Sequence, residues 1–305
     1  MISPEFIRQT IYYFVKLPLF SLQLRRNQFS ALEDISSICP SGPKTEYYHN
    51  AIVQACGTHS FLGGRDPERL FGLYNAISAI READTFIYPF LTNKNLRSFN
   101  EFRNIEILSL SYEKGPVLIL YAHTGSYYQA SAASGVLGYK VYPIAYGTDL
   151  TTMEKPFRWL FQLNMSLSER HFSGGSYLYT NTPSFTRSLK KIVAERERAI
   201  IYSAIDLPLS FMDRERREVP FLEGKTALPH KLVKMFLRRL LPVVIAFSSV
   251  RIIEGKVKRV LHFEKIPDSL QVEEILRYYA SRLEDFLRRD PEQFLNLINI
   301  GDFYV

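Results

Sequence analysis

The chain has 305 residues, of which 46% are hydrophobic and 14% aromatic, so it can fill one large core and is not a disordered or fibrous chain. Its formal charge of +7 would attract anionic membranes, nucleic acids or phosphorylated substrates alike, but its Lys and Arg residues form only short scattered groups without a nucleic-acid-binding motif, so we expect no nucleic-acid partner. It has two cysteines and no Cys/His set at zinc spacing, so we expect a reducing cytosol, no disulfide framework and no metal site.

The segment Thr10–Phe20 is apolar, but it is short and is interrupted by Lys16 and Pro18. It lacks the length of a membrane span and a convincing cleavage site. Two interpretations remain open: a helix packed on the body of the protein, or an edge that dips into lipid headgroups, favoured by its Tyr and Phe content and by Arg25 and Arg26 just after it.

Residues 1–112 are predicted to be mainly helical, because apolar residues between 70 and 80 recur at the spacing of one helix face. From about 115 onward the pattern changes to short apolar runs at 117–122, 141–146, 199–205 and 243–250, which predict buried strands. The stretches between these runs are long enough for crossover helices, and no repeat or flexible linker interrupts them. We therefore predict one α/β domain over 1–305, with a helical N-terminal part and, over 113–305, a mainly parallel sheet flanked by helices.

Two titratable residues follow predicted strands directly. His123 ends the run that begins at Val117, and Asp206 comes just after Ile205. Because ligands of parallel α/β sheets bind at the carboxyl ends of the strands, we expect His123 and Asp206 to open into the same crevice.

Four segments occur in a characteristic order: the strand ending in His123; Ile200-Ile-Tyr-Ser-Ala-Ile-Asp206; Val219-Pro-Phe-Leu-Glu-Gly-Lys-Thr-Ala227; and Asp290-Pro-Glu-Gln-Phe-Leu295. In this order the chain resembles the lysophospholipid acyltransferase superfamily, and within it the late lipid A acyltransferases. The likeness spans about 110 to 297, and the ordered set is more specific than any single motif. The family's usual N-terminal membrane span has no counterpart here.

One position departs from the family's pattern. The family's catalytic histidine is followed five residues later by Glu or Asp, and that position here is Tyr128. In the mechanism that the resemblance implies, the acid orients the histidine, which acts as general base. Asp206, the hydroxyl of Tyr128 or a backbone carbonyl could replace the acid, and the sequence does not choose among them.

Further site residues are predicted around this histidine. Backbone N–H groups near Gly125 are expected to form an oxyanion site, with Ser126 as a substrate contact or, less favoured, a nucleophile. A basic segment contributes Arg214, Arg216 and Arg217, which would grip a phosphate of the donor or of a lipid, although an exposed charged loop explains these three residues equally well.

The resemblance implies an acyltransferase that moves an acyl group from a carrier thioester onto a hydroxyl or amine acceptor such as a glycolipid or lysolipid. The donor substrate would be acyl-CoA or the phosphopantetheine thioester of an acyl carrier protein, with no tightly bound cofactor. We expect a location at the cytoplasmic face of the inner membrane, with peripheral contact to anionic lipid. Two alternatives stay open: an aminoacyl or amide-forming transferase, and a non-catalytic relative that binds lipid or an acyl carrier and regulates a partner.

Overall fold

A seven-stranded sheet runs through the middle of the computed structural model, which describes residues 3–145, 153–207 and 215–305. In chain order the strands are β1 (Asn100–Arg103), β2 (Val117–Tyr121), β3 (Val141–Ala145), β4 (Leu178–Tyr179), β5 (Ile200–Ala204), β6 (Arg216–Phe221), β7 (Gly224–Pro229), β8 (Val243–Ile253) and β9 (Lys256–Lys265). The sheet order is β1-β9-β8-β2-β5-β3-β4, and every neighbouring pair is parallel except β8 and β9. Strands β6 and β7 form a separate antiparallel hairpin.

Helices cover both faces of this sheet. They are α1 (Pro4–Ile11), α2 (Leu17–Arg26), α3 (Leu32–Ile38), α4 (Thr45–Thr58), α5 (Pro67–Ala83), α6 (Leu96–Phe99), α7 (Ile105–Tyr112), α8 (Tyr127–Val136), α9 (Lys155–Glu169), α10 (Pro183–Ala194), α11 (Lys231–Arg238) and α12 (Val272–Arg289). The start of α5 illustrates the local signals, since Asp66 accepts a hydrogen bond from the Glu68 N–H and Pro67 stands in the first turn.

The central strand β2 is buried on both of its faces. Leu118 and Leu120 pack in a cluster with side chains of α10 and α12, whereas Val117 and Ile119 pack on the other side with side chains of α7 and α8. A strand covered by helices on both faces needs an unbroken apolar run, which is the pattern that the sequence has here.

The predicted single α/β domain with a mainly parallel sheet is confirmed. The four predicted strands correspond to β2, β3, β5 and β8, although residue 146 lies outside the described part of the chain. The N-terminal part is mainly helical, as predicted, and it also contributes the edge strand β1 through parallel pairing with β9. This strand is only four residues long and carries no apolar run that would mark it.

The N-terminal helices form one continuous rod. A π-helical turn, Tyr12–Lys16, joins α1 to α2 just before Pro18, and a wider turn relieves the clash between a proline ring and the carbonyl four residues earlier. One face of the rod buries Tyr13, Leu17 and Phe20 in a cluster shared with α5, so the predicted packing on the body is confirmed.

The opposite face of the rod carries an exposed apolar stripe. The members of the stripe are Ile7, Ile11, Val15, Leu19 and Leu22.

In the described residues no helix combines the length and the apolar character needed to cross a membrane.

Candidate functional site

The register of the sheet brings His123 and Asp206 together. Strands β2 and β5 are parallel neighbours, and Tyr121 pairs with Ala204. The two segments continue in the same register for two more residues, which places His123 beside Asp206 at the carboxyl edge of the sheet. Strand pairing between two buried apolar runs therefore positions both groups.

Asp206 binds His123 at two points. One carboxylate oxygen, Oδ2, accepts the backbone N–H of His123 at 2.7 Å, and Oδ1 lies 3.0 Å from ring Nδ1. The Asp206 side chain is fully buried, whereas the His123 side chain is 17% exposed. Because an ionised carboxylate only accepts hydrogen bonds, this contact favours a proton on Nδ1 and leaves Nε2 as the basic nitrogen. The two residues meet at the strand ends, but they do not both open into one crevice as expected, because Asp206 is buried and does not line the cavity beside His123.

The His123 ring faces a cavity of about 670 Å³, which we call the large cavity. This volume is in the usual range for small-molecule sites, and its walls are mostly aromatic and aliphatic. The ring of Tyr127 meets the imidazole edge to face, with 4.7 Å between ring centres, and forms part of the wall. Apolar residues that line the cavity include Tyr121, Phe161, Met165, Tyr177, Phe185, Leu189, Tyr202, Leu232, Val233 and Met235.

Tyr128, which stands where the resembled family has its acid, does not take over the role of that acid in the geometry. Nδ1 of His123 is engaged by Asp206, and the ring of Tyr128 packs on Tyr127 with 4.3 Å between ring centres. Tyr128 instead lines the large cavity. Burial raises the pKa of its hydroxyl, so the group stays protonated and can donate a hydrogen bond there.

The segment Asp290–Leu295, which we call the C-terminal strap, is hydrogen-bonded to the loop that follows His123. The Leu295 N–H donates to the His123 carbonyl at 2.8 Å, and the Gly125 N–H donates to the Gln293 carbonyl at 2.7 Å. The Gln293 side chain in turn exchanges two hydrogen bonds with the backbone of Val250 on β8, at 2.9 and 3.1 Å. The strap thus ties the histidine loop to the sheet.

Of the backbone N–H groups near Gly125 that were expected to form an oxyanion site, the N–H of Gly125 itself is already donated to the strap. The structure gives another reason for glycine here. Its φ is +51°, and an added Cβ would lie 2.6 Å from the Ser248 carbonyl oxygen. Only a residue without a side chain combines this backbone conformation with so close an approach to β8.

Ser126 is turned away from the large cavity. Its side chain is fully buried, and its hydroxyl donates to the Asp84 carboxylate, which is also bound by Arg259. The expected substrate contact and the nucleophile alternative are therefore wrong in this geometry, since the hydroxyl serves a buried polar network beneath the loop.

The predicted arginine cluster is only partly described. Arg214 lies outside the described residues, Arg216 donates to the Ala227 carbonyl at 3.4 Å within its own hairpin, and Arg217 is exposed on β6. Neither of the two described arginines lines the large cavity. Two lysines that were not predicted as site residues, Lys190 and Lys231, do line it. They are the described cations that a molecule bound in the large cavity would meet.

Several contributors to the site carried no sequence signal. Arg81 on α5 donates from Nε to the Gly125 carbonyl at 2.8 Å, yet a charged residue in a helix ordinarily indicates a solvated face. Asp84 and Arg259 meet across 175 residues of sequence, a separation that no local pattern reveals. Among the described residues, no group of three or more His, Cys, Asp or Glu side chains is arranged to hold a metal ion.

Comparison with models of known protein families finds none that matches this chain, and comparison with curated proteins finds no match either.

Replacing Asp206 by Asn should destabilise the protein by about 1–3 kcal/mol, because an amide cannot accept both hydrogen bonds of His123 and leaves a buried donor unpaired. Urea unfolding of Asp206→Asn measures this loss. Asp268→Asn is the matched control, since Asp268 pairs with Lys265 on the surface, and its change should stay within about 0.5 kcal/mol. Equal stability of the two variants would contradict the structural role of Asp206.

Proposed function

We propose that this protein is an acyltransferase that moves an acyl group from a carrier thioester to a hydroxyl or amine acceptor, with His123 as the general base. The observation that carries the proposal is the Asp206–His123 pair, whose imidazole opens on a large apolar cavity. The ordered resemblance of residues 110–297 to lysophospholipid acyltransferases points to the same reaction. Asp206 takes the supporting position that this family's pattern gives to an acid five residues after the histidine.

Nε2 of His123 would take the proton of the acceptor hydroxyl or amine as that group attacks the thioester carbonyl carbon. The tetrahedral intermediate then collapses, the carbon–sulfur bond breaks, and the imidazolium returns its proton to the departing thiolate. Asp206 stabilises the transient imidazolium and keeps the ring in the tautomer that has a free Nε2. Tyr128 offers a neutral hydroxyl to the same space.

The large cavity is proposed to hold the acyl chain. An apolar wall with few polar groups suits a hydrocarbon chain better than a sugar or a nucleotide, because burying apolar surface drives binding without demanding hydrogen bonds. Lys190 and Lys231 are placed to attract the phosphates of a phosphopantetheine arm or of coenzyme A. Both forms of the thioester donor remain candidates.

We propose further that the N-terminal rod rests on anionic lipid at the cytoplasmic face of the inner membrane. Its exposed apolar stripe is accompanied by four exposed cations, Lys16, Arg25, Arg26 and Arg8, of which Arg8 pairs with Glu5. Trp159 on α9 is 44% exposed and contacts Phe6 of the rod, which extends the same surface with a residue type common at membrane interfaces. Apolar and basic groups on one surface favour binding to an anionic bilayer.

The direct test is incubation with acyl-CoA or acyl carrier protein thioesters and candidate acceptors, with thiol release and product mass measured together. His123→Ala should lower the transfer rate by about 10²-fold or more, because a general base contributes that much to such reactions. His49→Ala is the matched control, since His49 binds Glu68 on the surface and should leave the rate unchanged. Full activity of His123→Ala, or thioester binding without any turnover in the wild type, would overturn the proposal.

Membrane contact is tested by one change on the stripe. Leu19→Glu should weaken binding to phosphatidylglycerol-rich vesicles by about tenfold or more, since burying a leucine contributes roughly 1.5–3 kcal/mol. Leu110→Glu, at a similarly exposed leucine on α7, should leave vesicle binding unchanged in the same flotation assay. Equal losses in both variants, or no binding by the wild type, would contradict the proposed contact.

A further inference from the structure

A second cavity lies behind the wall that contains Tyr127 and Tyr128. It has a volume of about 150 Å³, and these two tyrosines, together with Phe161, line both cavities. With about 30 Å³ of liquid volume for each water molecule, it has room for a small polar group and not for a long acyl chain. We call it the small cavity.

Arg81 lines the small cavity and carries an unsatisfied buried group. The residue is 6% exposed, and Nε is fixed by the Gly125 carbonyl, whereas Nη2 has no hydrogen-bond partner among the described residues. A buried guanidinium with a free N–H group is costly unless an acceptor completes it. The fixed fork suits an oxyanion, which can accept from a guanidinium with matching geometry.

Among the described residues Arg81 forms no direct ion pair, although its charge interacts with Glu82 and Asp84. The nearby Asp84 carboxylate is bound by Arg259 and Ser126, and Lys44 adds a second cation to the wall of the cavity. Glu82 also lines the cavity, but burial raises the pKa of its carboxyl to about 7, so this group carries only part of a charge near neutral pH. The cavity is therefore electropositive.

The small cavity also adjoins the proposed base. The guanidinium carbon of Arg81 lies 5.6 Å from the centre of the Tyr127 ring, and the same ring contacts His123 with 4.7 Å between ring centres. Tyr127 thus lies next to both Arg81 and the imidazole.

We propose that the small cavity is an anion subsite in which Arg81 binds the phosphate or carboxylate group of the acceptor. The inference rests on the proposed acyl transfer and narrows its acceptor to a molecule that carries an oxyanion a few bonds from its nucleophilic hydroxyl or amine. A phosphate on a free small molecule and a phosphate in a lipid headgroup share this chemistry.

Sulfate is the probe for the subsite, because its charge is constant between pH 6 and 8. Its affinity is measured by calorimetry at fixed ionic strength, without thioester. Wild-type protein should bind sulfate saturably, and Arg81→Gln should weaken binding by about tenfold or more, since hydrogen bonds to charged groups contribute about 1.5–3 kcal/mol. Arg69→Gln is the matched control on the same helix, because Arg69 pairs with Glu33 on the surface and should leave sulfate binding unchanged.

A second variant covers the case in which Arg81→Gln does not fold. Lys44 is exposed at the cavity wall, so Lys44→Gln should fold normally and weaken sulfate binding about two- to fivefold, as expected for a partly screened charge. The exposed Lys94, which lines neither cavity, supplies its control through Lys94→Gln. Sulfate binding that is unchanged in both Lys44→Gln and any folded Arg81 variant would overturn the subsite.

The pH dependence of sulfate affinity gives an independent readout. Sulfate affinity should rise as the pH falls from 8 to 6, because protonation of Glu82 removes a repelling charge, and Glu82→Gln should flatten this dependence. An unchanged slope in Glu82→Gln would count against the subsite. The groups that interact with Glu82 from the surrounding elements are Tyr12, Tyr13, Cys39, Lys44, Tyr48, Tyr74 and Arg81.

The acceptor assays separate this inference from the proposed function. Arg81→Lys should raise the KM for sn-glycerol 3-phosphate or lysophosphatidic acid by a larger factor than it lowers kcat, and whichever acceptor is used identifies a free or a lipid-borne phosphate. Transfer to both phosphorylated acceptors with a KM that Arg81→Lys leaves unchanged would remove the subsite and leave the acyltransferase standing. Arg81-dependent sulfate binding without any acyl transfer would do the reverse.

Discussion

The carboxylate of Asp206 holds His123 by its backbone and by its ring at once, and the rest of the site depends on this double contact. The backbone bond fixes the direction in which the chain leaves β2, and the ring bond fixes the tautomer. A fully buried carboxylate is costly by itself, so the two N–H groups of His123 are also what make Asp206 tolerable at this position. Neither residue would keep its place without the other.

This arrangement places the supporting acid on a different element from the one that the resembled family uses. An acid five residues after the histidine would stand on α8, whereas here Tyr128 stands there and the acid comes from the end of β5. The position of Asp206 is consequently set by strand register, which the buried pairing of β2 with β5 makes hard to shift. The C-terminal strap reinforces this geometry, because Asn296 just beyond it donates to the Asp206 carbonyl at 3.2 Å.

The sequence predicted those parts of the fold and site that follow from local apolar pattern. The runs that became β2 and β5 were clear, and because parallel strands end at one edge, the meeting of His123 with Asp206 followed from them. Strand β9 was not predicted, because cations such as Arg259 interrupt its apolar residues. The burial of Arg259 depends on its ion pair with Asp84, which lies 175 residues away in the sequence. Tertiary contacts likewise occupy the groups that Gly125 and Ser126 were expected to offer a substrate. The Gly125 N–H donates to the C-terminal strap, and the Ser126 hydroxyl donates to Asp84.

The protonation state of the His123 ring tests the account most directly. Nitrogen NMR of the imidazoles at neutral pH, with the His123 signal assigned by its loss in a His123 variant, reports which ring nitrogen carries the proton. The account predicts that the neutral form of the ring carries its proton on Nδ1 and leaves Nε2 bare, and that Asp206→Asn changes this tautomer balance. A proton on Nε2 in the wild type, or a signal that Asp206→Asn leaves unchanged, would contradict it.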